Sequence, residues 1–87
     1  MYIYFTKRIH LHNYYAYIYL SMKNGKLAVD WCSRALEGDK DAESIVSQRE
    51  DCGCLYKAYK LLGNNAQALK YYELYNIFND SLKLEET

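Results

Sequence analysis

Eighty-seven residues bound this chain to one domain with a modest core for its surface. Eleven basic and eleven acidic residues cancel, and no dense Lys/Arg cluster stands out, so the electrostatic footprint of a nucleic-acid binder is missing. A hydrophobic share of 51% excludes wholesale disorder, and the absence of proline suits a chain that is mostly helix with short connections.

Met1 to Phe5 is apolar, but Lys7, Arg8 and His10 follow the run instead of preceding it, which is the wrong order for a signal peptide. Ile9 to Met22 is aromatic yet interrupted by His10, His12, Asn13 and Ser21, and a membrane span needs ~20 apolar residues. Neither a leader nor membrane insertion is expected.

The first helix is predicted from about Thr6, a possible N-cap, to Met22. Its inner stripe is Ile9, His12, Tyr15/Ala16, Tyr19 and Met22. Lys23-Asn24-Gly25 is the turn. The second helix runs from about Lys26 to Glu37, with Ala28, Trp31/Cys32 and Ala35 inward, and Gly38-Asp39-Lys40 reads as a stop and restart. Asp41 then caps a third helix whose stripe is Ile45, Cys52, Leu55, Tyr59 and Leu62. Gly53 in its middle costs ~1 kcal/mol relative to Ala. It either admits a neighbouring helix or ligand, or is simply tolerated.

Gly63-Asn64-Asn65 breaks the period with residues that accept left-handed backbone. A fourth helix follows from about Ala66 to Phe78, with Ala68, Tyr72 and Tyr75 at i, i+4 and i+7. Asn79-Asp80-Ser81 looks like a break with a fresh cap, and Ser81 to Thr87 like the start of another helix. The expected fold is all-α: two antiparallel helical hairpins plus a short C-terminal helix.

Little here points to chemistry. His10-x-His12 and Cys52-x-Cys54 invite a zinc reading, but residues i and i+2 of a helix point about 200° apart, so neither pair chelates one ion. Three cysteines are an odd count for a disulfide framework and read as reduced thiols of a cytoplasmic protein, or of a domain facing the cytoplasm. Glu43, Glu50, Asp51 and Glu73 are scattered over exposed faces. No catalytic residue can be named, no cofactor or metal is expected, and the chain does not read as an enzyme. Eleven tyrosines suit half-buried helix faces and binding surfaces.

Tyr59-x-x-Leu62-Gly63 followed by Ala68-Leu69-x-x-Tyr72 resembles a tetratricopeptide repeat. A second copy lies 40 residues earlier. It aligns Tyr19 with Tyr59, Met22 with Leu62, Asn24 with Asn64, Ala28 with Ala68 and Trp31 with Tyr71, while Lys23 stands where Gly63 does. The period exceeds the family's ~34 residues, as longer helices would make it. On this resemblance, repeat one covers about 9–38, repeat two about 41–79, and 80–87 is a terminal helical segment.

The resemblance implies a scaffold that binds a protein or peptide in a groove lined by the first helix of each repeat. Here those positions are His10, Asn13, Tyr17 and Leu20, then Gly53, Lys57 and Lys60. Their aromatic and basic mix suits a peptide with apolar and acidic residues. Two repeats leave faces to satisfy, which implies a homodimer or a place in a longer array. The ending YNIFNDSLKLEE is similar to the end of repeat arrays in bacterial sensor and regulator proteins, implying a sensory or assembly role in signal transduction. Two other readings stand beside it: a small-ligand sensor with a tyrosine-lined pocket that cages a cation, and a module that only self-assembles.

Overall fold

Three helix ends set the architecture. In the computed structural model, which describes residues 15–86 and side chains through Lys83, left-handed backbone recurs at Lys23, Glu43 and Gly63 (φ 58, 56 and 75°), spaced 20 residues apart. Each is the second residue of a three-residue turn with one hydrogen-bond pattern. The N–H of Lys23 donates to the carbonyl of Leu20 at 3.0 Å and that of Asn24 to Tyr19 at 2.8 Å. The pairs Glu43–Lys40 with Ser44–Asp39, and Gly63–Lys60 with Asn64–Tyr59, repeat it. This is the Schellman closure, which satisfies carbonyls that a helix end would otherwise leave bare.

The third residue of each turn also starts the next helix. Asn24 Oδ1 accepts from the N–H of Leu27 at 3.2 Å, Ser44 Oγ from Ser47 at 3.3 Å, and Asn64 Oδ1 from Gln67 at 3.2 Å. One residue thus finishes one helix and caps its successor. The chain is therefore all-α, with four helices among the described residues: α1 (described over 15–21), α2 (Gly25–Asp41), α3 (Ile45–Leu61) and α4 (Asn65–Glu86).

Two expected boundaries move. The stop expected at Gly38-Asp39-Lys40 is helical, and α2 continues to Asp41. The turn comes at Ala42-Glu43-Ser44, and Ser44, not Asp41, caps α3. The break expected at Asn79-Asp80-Ser81 is also helical. Asn79 Oδ1 accepts from Arg49 Nη1 of α3 at 3.3 Å, and Ser81 Oγ donates to the Ile77 carbonyl one turn back at 3.1 Å. Asn79 is thus held by Arg49, and the Ser81 hydroxyl bonds back within the same helix instead of capping a new one, so the short C-terminal helix is the end of α4. The expected cap at Thr6 and the stripe residues Ile9 and His12 lie outside the described residues.

Both α2 and α4 pack on α3. One layer holds α1 and α3, which share a hollow lined by Leu20, Lys57, Lys60 and Leu61. The other holds α2 and α4, which flank the Cys52 position of α3. The core is built from small residues. Ala16, Cys32, Cys52, Cys54 and Leu55 are buried with Leu36, and Ala28, Ala35, Ala58 and Ala68 are buried at the helix contacts. Such side chains let helices approach closely. Gly25 is the extreme case: a Cβ there would lie 2.9 Å from the Ala58 carbonyl oxygen and 2.9 Å from Leu62 Cγ.

Large rings meet at the seams between the helices. Tyr59 and Tyr71 stack between α3 and α4 at 5.7 Å and 6°, Tyr56 meets Tyr72 at 5.1 Å, and Tyr15 meets Trp31 between α1 and α2 at 5.0 Å. Expected inner residues Tyr15, Met22, Leu62 and Tyr72 are exposed instead. Met22 and Leu62 open turns at helix ends, while Tyr15 against Trp31 and Tyr72 against Tyr56 at the rim of a groove are each covered on part of the ring only.

The cysteines also depart from expectation. Cys32 of α2 and Cys54 of α3 pair as a disulfide with Cα atoms 6.1 Å apart, within the usual span of a cystine, and Cys52 remains a buried free thiol. The odd count is thus one pair plus one thiol, and the reading of three reduced thiols is corrected. No helix among the described residues is long and apolar enough to cross a membrane.

Candidate functional site

On an α-helix, residues at i, i+3, i+4 and i+7 share a face. Gly53, Tyr56, Lys57 and Lys60 stand at that spacing on α3 and form the floor of a groove. Tyr17 of α1 walls one side, and Tyr72 and Tyr75 of α4 wall the other. The half-open hollow between them measures about 360 Å³ and also touches Arg49 and Glu50. A second hollow of about 320 Å³, between Leu20 of α1 and Leu61 of α3, adjoins it, and Lys57 lines both. From Arg49 to Leu61 the floor runs about 18 Å at 1.5 Å per residue. That length matches about five residues of extended chain.

Gly53 sets the depth of the floor. The nearest atoms to a Cβ built there belong to the Tyr75 ring, at 3.4 and 3.5 Å. The ring of Tyr75 therefore leans over the glycine, and the hollow opens beside it.

The charges in the groove are unevenly committed. Arg49 Nη2 reaches Glu50 Oε1 at 3.4 Å, and its Nη1 is held by Asn79. Tyr17 donates its hydroxyl to Glu50. Burial first, then the negative charges of Glu50 and Asp51, holds the Tyr17 phenol above its ordinary range, so it stays neutral and a donor. Lys60 donates to the Tyr56 hydroxyl at 3.2 Å and lies 5.4 Å from that ring's centre. Lys57 has no hydrogen-bond or ion-pair partner among the described residues. It is an exposed cation at the junction of the two hollows.

Beneath the groove lies a second polar feature. Asp39 of α2 and Asp51 of α3 are each 1% exposed and hydrogen-bonded to each other. Asp51 had been expected on an exposed face; it faces α2 instead. Burial pushes its carboxyl up to about 9, reinforced by the hydrogen bond and charge of Asp39 and by the charge of Glu50. Asp51 thus keeps its proton at neutral pH and donates it toward the Asp39 side chain. Neighbouring Cys52 is pushed up to about 11 by burial and by Asp51, against a lowering by Lys40. It is a thiol at neutral pH and a poor nucleophile. No cluster of three or more metal-ligating side chains occurs among the described residues.

Of the groove residues expected from sequence, the structure brings Tyr17, Gly53 and Lys57 to the first hollow and Leu20, Lys57 and Lys60 to the second. His10 and Asn13 lie outside the described residues. The sequence reading missed Tyr56, Tyr72 and Tyr75. Tyr56 was legible as i+3 from Gly53. Tyr72 and Tyr75 were assigned to the inner stripe of α4, and they line the groove because α4 reaches past its seam with α3. The chain matches no protein-family model, no curated protein and no solved structure.

Proposed function

We propose that this chain is a helical-repeat scaffold whose groove over α3 holds an extended peptide segment of a partner protein. The observation that carries the reading is the pair of adjoining hollows joined at Lys57. Together they make a trough about 18 Å long, longer than a compact small molecule needs. Tyrosine walls offer rigid, amphipathic contact area, and such residues anchor interfaces at low entropic cost. No catalytic role is assigned to any residue, because the polar groups of the groove are engaged with one another or, like Lys57, stand alone.

The four tyrosines around the first hollow also favour a small-ligand reading, and about 360 Å³ lies at the low end of ligand-pocket volumes. A caged cation, however, would sit beside Lys57, whose charge has no partner among the described residues and repels it. The peptide reading meets no such penalty.

Panning a displayed library of random peptides tests it. The wild-type chain should enrich particular sequences, and Tyr72→Ala and Lys57→Glu should each abolish that enrichment while helix content by circular dichroism is unchanged. No enrichment by the wild type, or the same sequences enriched by both variants, would contradict the proposal.

A further inference from the structure

The net charge of zero conceals a segregation along the helix axes. Consecutive helices alternate in direction, so the turn at 22–24 and the turn at 62–64 lie at the same end of the molecule. Contact between Gly25 and Leu62 places them side by side. Residues 17–30 and 57–70, which approach and leave this end, carry Lys23, Lys26, Lys57, Lys60 and Lys70 against one acid, Asp30. Asp30 is itself tied to Arg34 at 3.3 Å. All five lysines are exposed. The opposite end, around the turn at 42–44, exposes Glu37, Asp41, Glu43, Glu50 and Asp80 against Lys40 and Lys83, and Glu50 is itself tied to Arg49 at 3.4 Å.

The basic end is also apolar at its tips. Met22 and Leu62, the residues that open the two turns, are 66% and 50% exposed. Leu61 and Leu69 beside them are exposed as well. The equivalent residue at the acidic end is Ala42. Contact with Gly25 covers part of Leu62, but helix packing does not account for its exposed half or for Met22, which project at two neighbouring turns among lysines. An anionic bilayer surface does. Its headgroups attract the lysines, and its acyl boundary receives the tips.

We infer that this end docks on an anionic lipid surface, with Met22 and Leu62 entering the headgroup layer and Lys23 and Lys26 paired with lipid phosphates or carboxylates. The acidic end then points away from the bilayer. No helix crosses it, in keeping with the lack of a long apolar helix among the described residues. A second copy is the competing occupant on charge grounds, presenting its acidic end. That surface lacks large apolar tips to meet Met22 and Leu62, so the bilayer fits better.

Co-sedimentation with phosphatidylcholine vesicles, with and without phosphatidylserine, tests the inference. Binding should require phosphatidylserine and should be lost at about 1 M salt, where the Debye length falls to about 3 Å. Lys23→Glu with Lys26→Glu should weaken binding by at least about tenfold, and Met22→Ser should weaken it without changing its salt dependence. These residues lie outside the groove, so peptide enrichment should be untouched. Three results would each overturn the inference: no binding to phosphatidylserine vesicles, binding indifferent to these substitutions, or light scattering showing lysine-dependent self-association in place of vesicle binding.

Discussion

Asp51 carries the clearest pH signature in the molecule. Its carboxyl is held at about 9 in the fold, against 3.8 as its ordinary value, mainly by burial and then by Asp39 and Glu50. As pH rises, the unfolded chain gives up this proton first, so the stability present below about pH 4 falls progressively until about pH 9. Asp51→Asn keeps a donor toward Asp39 and removes the titration. It is expected to raise the melting temperature at pH 8 by several degrees, or about 1 kcal/mol, and to flatten its pH dependence. Thermal unfolding monitored between pH 4 and pH 9 measures both effects, and a variant that tracks the wild type at every pH would refute the assignment. Two helix glycines should behave oppositely. Gly25→Ala forces a methyl group against Ala58 and Leu62 and should cost about 1–3 kcal/mol. Gly53→Ala meets only the Tyr75 ring at ordinary contact distance and should gain about 0.5–1 kcal/mol in helix propensity. Denaturant unfolding of the two variants reads the signs. Gly53 was conspicuous in the sequence as a helix breaker inside a helix. The Asp39–Asp51 pair was not, since nothing in sequence distinguishes a carboxyl facing α2 from one facing water.

At the scale of the element, the three turns are one device used three times, and they differ mainly in the residue holding left-handed backbone. Gly63 holds it freely, whereas Lys23 and Glu43 hold it with a side chain, which costs about 1 kcal/mol. Glu43→Gly should therefore stabilise the chain by about 0.5–1 kcal/mol, and Gly63→Ala should destabilise it by a similar amount. Chemical denaturation would show both, and destabilisation by Glu43→Gly would mean that its side chain makes a contact outweighing the backbone strain. The turn at 62–64 was legible because its glycine announces it, and the turn at 22–24 because it aligns with that one. The turn at 42–44 was misplaced because Gly38 lies nearby and drew the stop to itself. The better signal was the cap rhythm of Asn24, Ser44 and Asn64, since Ser44 stands midway between the two asparagines. Likewise Asn79 and Ser81 carry the composition of a break but have partners across α3 and within α4 that keep the helix intact.

For the whole molecule, the all-α arrangement was legible because amphipathic stripes alternate with turn residues along the chain. The groove was legible on α3, where spacing alone puts Gly53, Lys57 and Lys60 on one face. It was not legible on α4. A tyrosine at an inner-stripe position reads as core, and only the three-dimensional offset of α4 from α3 turns Tyr72 to the groove. The separation of charge between the two ends was hidden for a similar reason, since alternating helix directions bring together residues distant in sequence. The groove also explains part of the tyrosine abundance, with the seams taking up more of it. Tyr56 with Tyr72 forms seam and groove wall together, whereas Tyr59 with Tyr71 serves the seam alone. Amide chemical-shift mapping of the ¹⁵N-labelled chain, titrated with a peptide enriched by the wild-type protein, tests the groove most directly. The account predicts saturable shifts concentrated at Tyr17, Gly53, Tyr56, Lys57 and Tyr72. Shifts concentrated instead on the Met22 and Leu62 turns or over Cys52, with Gly53 and Lys57 unmoved, would contradict it.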